Sequence, residues 1–292
     1  MIVTNAIYDK YVVDDLKNYK GLTHPVKSSI LSRIKPKYIN PAKLHPNPDD
    51  EFSMDTVGPS WTIISNYEES IRMHMQRGED IFDHEPIIVV KLDKGGYMIL
   101  NGHHRWMASL KLRVAKVPIK IVNITLDEDI YKVINKSTRN KCVTIDFDEV
   151  LFSDDFQETS EKIPFPQNLI YKKNIRDKAS LLIQEFQRLG FDVWIYTGGY
   201  LSEQYIKGLF FINKCHVDGI VNGINGKRNA QKLRDVFRTK YDTILHVDNE
   251  AITFVNTRTK KFDVLDINAS SEEWASATVS LAGDFDLTTL ND

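Results

Sequence analysis

The sequence predicts an α/β protein of two domains, the second built on a parallel sheet. Three observations predict it. Apolar runs of strand length recur between Val143 and Ile267 (CVTIDF, DVWIYT, DGIV, TILHVD, FDVLDI), with helical stretches between them. A second set of β-branched runs lies upstream, between Ile39 and Asn123 (PIIVVKL, GYMIL, VPIKIVN). A polar, charged stretch from Thr125 to Lys141 separates the two sets. Strand–helix–strand repeats of this length give parallel strands with helices on both faces of the sheet. A chain of 292 residues is comfortable for two domains.

The elements follow in order. Met1 to Lys35 mixes charge with short apolar stretches and reads as a helical lead-in. Asn40 to Phe52 (NPAKLHPNPDDEF) reads as a strand end followed by a loop. Asn66 to Asp80 has helical spacing, with Tyr67, Ile71 and Met75 on one face. Pro86–Leu92 and Gly96–Leu100 are strands, the second following a Gly-Gly turn. His103 to Leu112 is a helix entered through Asn101 and Gly102, with Trp106 and Met107 turned inward. Val117–Asn123 is a third strand. The polar stretch divides a first domain, 1–135, from a second, 140–268. In the second, helices are expected around Ala179–Leu189, after Tyr200, around Asn229–Phe237, and as a short piece after TILHVD. Residues 269–292 read as a polar, partly ordered tail. The stretch between Phe152 and Ala179 leaves little room for a cap over the sheet.

Composition narrows the function classes. Hydrophobic residues make up 42% and charged residues 27%, an ordinary globular balance. A formal net charge of −2 gives no overall basic field. Nucleic acid is therefore a less favoured partner, though a local basic groove stays open. Two cysteines, Cys142 and Cys215, exclude a disulfide framework and a cysteine-based zinc site. The first residues lack the basic-then-apolar order of a secretory leader. No apolar run is long enough to cross a bilayer. A cytoplasmic protein with no membrane partner is expected.

Chemistry concentrates first at VTIDFDEVLF (Val143–Phe152). An apolar strand delivers Asp146 and Asp148 at its C-terminal end, where open α/β sheets bind their ligands. Residues two apart in an extended strand face the same side, so both carboxylates can converge. Such a pair suits Mg²⁺, a hard cation that takes oxygen ligands and keeps several waters. Three later strand ends add to it. DVWIYTGG ends in Thr197, Gly198 and Gly199: a hydroxyl and glycine N–H groups suited to phosphate oxygens. NGINGKRN presents Lys227 in a glycine-rich loop. TILHVDNE ends in Asp248 and Glu250.

This ordered set, over Val143 to Ile267, resembles the haloacid dehalogenase-like (HAD) superfamily. The resemblance implies a Rossmann-like parallel sheet with a minimal cap. It implies Asp146 as the nucleophile that forms an aspartyl-phosphate and Asp148 as the general acid/base. Thr197 and Gly198 would hold the phosphoryl group, and Lys227 would neutralise charge, with Lys232 a rival. Mg²⁺ would be held by Asp146, Asp248 and the main-chain carbonyl of Asp148, with Glu250 a weaker candidate. A carboxylate attacks phosphorus only when anionic repulsion is suppressed, and an alkoxide leaving group needs a proton. Asp148 therefore favours a phosphatase or phosphotransferase over a dehalogenase. Two departures stand: Glu149 occupies a place where glycine is usual, and the acids of the last motif are not adjacent.

The second concentration is ILNGHHRWMASLKL (Ile99–Leu112). A strand ends in Asn101, Gly102 permits a tight turn, and a helix begins near His103. N–H groups at a helix start, with His103, His104 and Arg105, make an anion cradle. The order of NPDDEF, helix, PIIVVKL, glycine turn, NGHHRWMA and VPIKIV resembles the ParB/sulfiredoxin-like superfamily over Ile39 to Asn123. It implies a small α+β fold binding nucleotide phosphates at Gly102, His103, His104 and Arg105, with Asn101 supporting the turn. The His-His-Arg turn is nearest to the free-serine kinases, whose general base is an acid in the loop after the first strand. Glu51 matches that position, with Asp50 the runner-up. Sulfiredoxins carry a cysteine in this turn, and here His103 stands there. ParB proteins that partition chromosomes follow this fold with a helix-turn-helix, and this chain moves straight into its second domain. Trp61 and Tyr67 offer flat apolar walls for a substrate.

The sequence therefore predicts a Mg²⁺-dependent phosphatase or phosphotransferase coupled to a domain that binds ATP or ADP and could act as a small-molecule kinase. Its partners would be a phosphorylated small molecule and a nucleotide. A nucleic-acid end-processing phosphatase and a nucleotide-gated regulatory protein are the alternatives.

Overall fold

The computed structural model describes residues 6–19, 23–34, 37–82, 85–152, 160, 163–169, 175–223, 227–248, 251–258, 261–267 and 273–288. The chain forms two compact units, Met1–Ile124 and Thr125–Asp292.

The first unit opens with helical turns α1 (Ala6–Tyr8) and α2 (Asp14–Tyr19), joined by a π-helical Asp9–Val13. The lead-in is not wholly helical, because β1 (Pro25–Val26) follows before α3 (Ile30–Ile34). Then come β2 (Lys37–Ile39), β3 (Leu44–His45), α4 (Trp61–Arg77), β4 (Ile87–Leu92), β5 (Tyr97–Asn101), α5 (His103–Lys111) and β6 (Val117–Val122). The sheet runs β2-β6-β4-β5-β3, with β1 paired to the end of β4. β4 lies between β6 and β5, and its run of Ile and Val is buried accordingly. α4 starts where the Ser60 side chain accepts from the Ile63 N–H and stops at Gly78 in the left-handed region. Ile64 and Ile71 are its buried residues. Met75, expected to share a face with Tyr67 and Ile71, falls on the last turn of α4 and is exposed. Trp106 and Met107 are fully buried, as expected, and Trp106 Nε1 donates to the Pro41 carbonyl at 2.8 Å.

The second unit begins with α6 (Asp127–Ile134), which corrects the boundary read from the sequence. Ile130 and Ile134 pack with Trp194, Val221 and Phe237, so the polar stretch carries one apolar helix face into this unit's core. The remaining elements are β7 (Lys141–Asp146), α7 (Ala179–Arg188), β8 (Phe191–Thr197), α8 (Glu203–Ile212), β9 (Gly219–Asn222), α9 (Lys227–Arg238), β10 (Thr243–Val247), β11 (Ala251–Asn256), β12 (Phe262–Asp266) and α10 (Trp274–Thr288). The sheet order is β12-β11-β10-β7-β8-β9. β10, β7, β8 and β9 are parallel, as predicted. Alternate residues of these strands feed two cores. Val143, Ile145 and Val193 meet α7, α8 and α10 on one face. Cys142, Trp194 and Ile244 meet α6 and α9 on the other.

Two expectations fail here. The short helix after TILHVD is instead strand β11, antiparallel to β10 with Thr243 opposite Asn256. Its AITFVN sequence alternates in burial and is rich in β-branched residues, which suits a strand. The tail is not merely polar: α10 inserts Trp274, Ala275 and Ala282 into the core beside α7.

Candidate functional site

In the second unit the predicted acids gather at the C-terminal ends of neighbouring strands. Asp146 ends β7, Thr197 ends β8, and Asp248 follows β10. β7 turns at once into a π-helical Phe147–Leu151, and this turn is capped by Asp146 itself. Its Oδ1 accepts from the N–H groups of Asp148 (2.7 Å) and Glu149 (2.9 Å). The turn brings Asp148 back toward β8, where Thr197 Oγ1 donates to Asp148 Oδ2 at 2.5 Å. Thr197 is fully buried and also accepts from the Gly199 N–H at 2.9 Å. Gly199 leaves room for this: a Cβ there would sit 3.1 Å from Thr197 Oγ1. Gly198 lies in the same turn.

The acids crowd one another. The Glu149 carboxyl is raised above its usual range, first by a hydrogen bond with Asp248 and then by the Asp146 charge. Among the described residues, no group of three His, Cys, Asp or Glu side chains is placed to hold a metal ion. The donor set is all oxygen and carries surplus negative charge, and Mg²⁺ is satisfied by one or two carboxylates and waters. The residues present therefore fit that ion. Lys227 begins α9, but its side chain, that of Lys232, and all of Glu250 lie outside the described residues, as does much of the stretch between Phe152 and Ala179.

A further polar group stands behind Asp146 and was missed in the sequence. Tyr196 Oη lies 3.1 Å from His246 Nε2, and His246 Nδ1 lies 2.8 Å from Thr144 Oγ1. Burial, foremost, and the Asp146 charge hold the Tyr196 hydroxyl protonated far above its usual range. Burial pushes His246 down, against the pull of Asp248 and Asp146. The available signal was strand alternation: Thr144 and His246 sit two residues before Asp146 and Asp248 and so share their face.

In the first unit the Asn101–Gly102–His103 junction is built as predicted. β5 ends in Asn101, Gly102 takes φ 98°, and α5 starts at His103 with no side-chain cap. Gly102 is required twice, since a Cβ would strain that φ and meet the Arg105 guanidinium at 3.1 Å. The three side chains expected to reach an anion have protein partners instead. His103 is buried; its Nε2 accepts from the Asn47 N–H at 3.2 Å, its Nδ1 lies 3.5 Å from Asp50 Oδ2, and Phe52 stacks on its ring at 5.3 Å. Burial pushes its pKa down to about 4, with Asp50 opposing and His104 adding to the fall. His104 Nε2 accepts from the Ser60 N–H at 3.1 Å, and burial lowers its pKa too. Arg105 pairs with Glu85 and donates to Asn101 Oδ1 at 3.2 Å, while its Nε is buried without a partner. A buried polar group needs a hydrogen bond, and the surrounding loops supply most of them.

Of the two candidate loop acids, Asp50 is the one beside this turn. It also caps the short Glu51–Ser53 helix by accepting from the Phe52 N–H. Glu51 is exposed, and its carbonyl accepts from Met54 and Gly58. Trp61 meets Tyr8 edge-on and has Lys111 over its ring, while Tyr67 lies under Arg105.

Residues 25–138 match the family model of the ParB N-terminal domain. The first unit is thus ParB-like, and the match runs on through α6 of the second unit. A solved structure, the C-terminally truncated chromosome-partitioning protein ParB from Caulobacter crescentus complexed with CTP-gamma-S, shares 20% identity with this chain. That likeness covers 36% of this chain and 56% of the other, with a TM-score of 0.25. No curated protein matches the chain. No described helix is long and apolar enough to cross a membrane.

Proposed function

We propose that the protein is a phosphoryl-transfer enzyme whose second unit is a HAD-like phosphatase or phosphotransferase acting through Asp146, and whose ParB-like first unit binds a nucleotide. One observation carries the reading: Asp146, the Asp148–Thr197 pair and Asp248 occupy the C-terminal ends of three adjacent parallel strands. An Asp146 oxygen attacks the phosphorus of a phosphomonoester. The bond from phosphorus to the ester oxygen breaks, and Asp148 gives that oxygen a proton. Water then loses a proton to Asp148 and attacks the same phosphorus, releasing phosphate and restoring the Asp146 carboxylate. Thr197 holds Asp148 in reach of the leaving group and can turn its proton to a phosphate oxygen. Asp146, Asp248 and the Asp148 carbonyl would hold Mg²⁺, which when bound offsets repulsion between the carboxylate and phosphate anions. Lys227 would add positive charge from the start of α9.

In the first unit the start of α5 is the anion-binding element, through its backbone N–H groups. His103, His104 and Arg105 shape that turn by anchoring it to the loops at Asn47, Ser60 and Glu85. The family match and the uncapped helix start support a nucleotide as the ligand, and ATP or ADP is the one expected from the sequence resemblance. Kinase activity would need a base to take a hydroxyl proton. Asp50 lies next to the turn, with Glu51 one residue further along the loop.

Hydrolysis of para-nitrophenyl phosphate by the full chain, with and without Mg²⁺, tests the second unit. Asp146→Asn is expected to remove the Mg²⁺-dependent turnover, and retention of more than a few percent would refute the nucleophile. Calorimetry with ATP and ADP tests the first unit. His104→Ala is expected to weaken binding by about 3- to 10-fold, the worth of the one hydrogen bond that anchors the turn to Ser60; unchanged affinity would show that this anchor does not shape the phosphate site.

A further inference from the structure

We propose that Tyr196 and His246 form a brace across β7 that orients the Asp146 carboxylate, with Tyr196 the positioning residue in contact with it. The inference rests on the reading of Asp146 as nucleophile. β7 lies between β10 and β8 in the sheet, so a residue of β10 and one of β8 can meet only by reaching across it. The parallel registers set His246 beside Thr144 and Tyr196 beside Asp146. Residues two apart share a face, so all four side chains stand on the same one. There the Tyr196 and His246 rings stack with centroids 5.1 Å apart and planes 27° apart, and Oη meets Nε2 at 3.1 Å. Thr144, a small residue, sits beneath them with Oγ1 2.8 Å from His246 Nδ1. The register sets Tyr196 directly beside Asp146 on this face, and a hydrogen bond with that carboxylate, together with its charge, contributes to the raised pKa of the Tyr196 hydroxyl.

Hydrogen-bond roles give this chain a direction. An ionised carboxylate only accepts, so Tyr196 spends its one proton on Asp146. Its oxygen must then accept from His246, which places the imidazole hydrogen on Nε2. Nδ1 is left as an acceptor, and the Thr144 hydroxyl donates to it. Thr144 has one competing acceptor, the Leu245 carbonyl at 3.2 Å. If Thr144 donates there, His246 carries its hydrogen on Nδ1, Tyr196 donates to Nε2, and Asp146 loses the bond. The tautomer of His246 therefore decides whether the chain ends on the nucleophile. When it does, Asp146 is held from two sides, by the Asp148 and Glu149 N–H groups on Oδ1 and by the Tyr196 hydroxyl. A carboxylate so held meets phosphorus without first losing rotational freedom.

Long-range proton–nitrogen correlation spectra of the full chain with ¹⁵N-histidine, assigned with His246→Asn, report that tautomer without any turnover. The Nε2–H form is expected for His246, and an Nδ1–H form would overturn the brace. With para-nitrophenyl phosphate and Mg²⁺, Tyr196→Phe is expected to lower kcat by about 3- to 10-fold with KM within about twofold. An unchanged kcat would overturn the positioning role. Wild-type protein that hydrolyses nothing would count against the nucleophile, and with it the role of Tyr196, while the Nε2–H tautomer would still establish the brace.

Discussion

His103 shows how a residue expected to contact a ligand acquires a structural duty. It is buried against Phe52 and Asp50, and its imidazole accepts from the Asn47 N–H only while Nε2 lacks a proton. Its folded pKa of about 4 lies below the ordinary 6.5. Between those values the unfolded chain takes up a proton that the folded chain refuses. Stability is therefore intact above about pH 6.5, falls as pH drops toward 4, and levels out below. The slope is about 1.4 kcal/mol per pH unit, and the full loss about 3 kcal/mol. Hydrogen exchange of the α5 amides in the full chain between pH 7 and pH 4.5 should show this loss of protection beyond the intrinsic pH effect, and His103→Gln should flatten it. Protection that rises through the window would contradict the account. The identity of such residues was legible in the sequence, but their partners were not. Asp146 and Asp148 announce themselves at the end of an apolar run. That Thr197 donates to Asp148, and that Arg105 turns to Glu85, depends on how the turns pack.

Elements were legible where one periodicity ruled. β4, β6, β7 and β8 are mostly apolar stretches of strand length, and they appear where the sequence puts them. β11 was missed because the strand–helix rhythm was carried one step too far; the alternation of Ile252 and Phe254 was the competing signal. α10 was missed because polar residues dilute it, although Trp274, Thr278 and Ala282 are spaced for one helix face. Packing between elements carries its own prediction at Gly219. It opens β9 in register with Trp194, and a Cβ there would fall 2.2 Å from the indole ring. Trp194 has nowhere to move, being bonded through Nε1 to Tyr241 Oη at 3.1 Å and packed on Phe237 at 4.8 Å. Gly219→Ala should cost about 1–3 kcal/mol through overpacking. A urea midpoint equal to wild type for the unfolding of the second unit would show that the indole can yield.

At the scale of the whole molecule, the two sites proposed for phosphate lie one in each unit. The first would be at the N-terminus of α5, the second at the strand ends of a parallel sheet. A net charge of −2 gives the molecule no general attraction for nucleic acid. That division was visible in the sequence, but its boundary was not, because α6 looks like a linker by charge and belongs to the core by its two isoleucines. The account depends on a covalent phosphoryl group passing through Asp146. Rapid acid quenching of the full chain during turnover of a phosphomonoester with Mg²⁺, followed by mass spectrometry of its peptides, looks for that group directly. The account predicts phosphate on Asp146 in the wild type and none in Asp146→Asn. Steady hydrolysis with Asp146 never carrying phosphate, or phosphate trapped on another side chain, would contradict it.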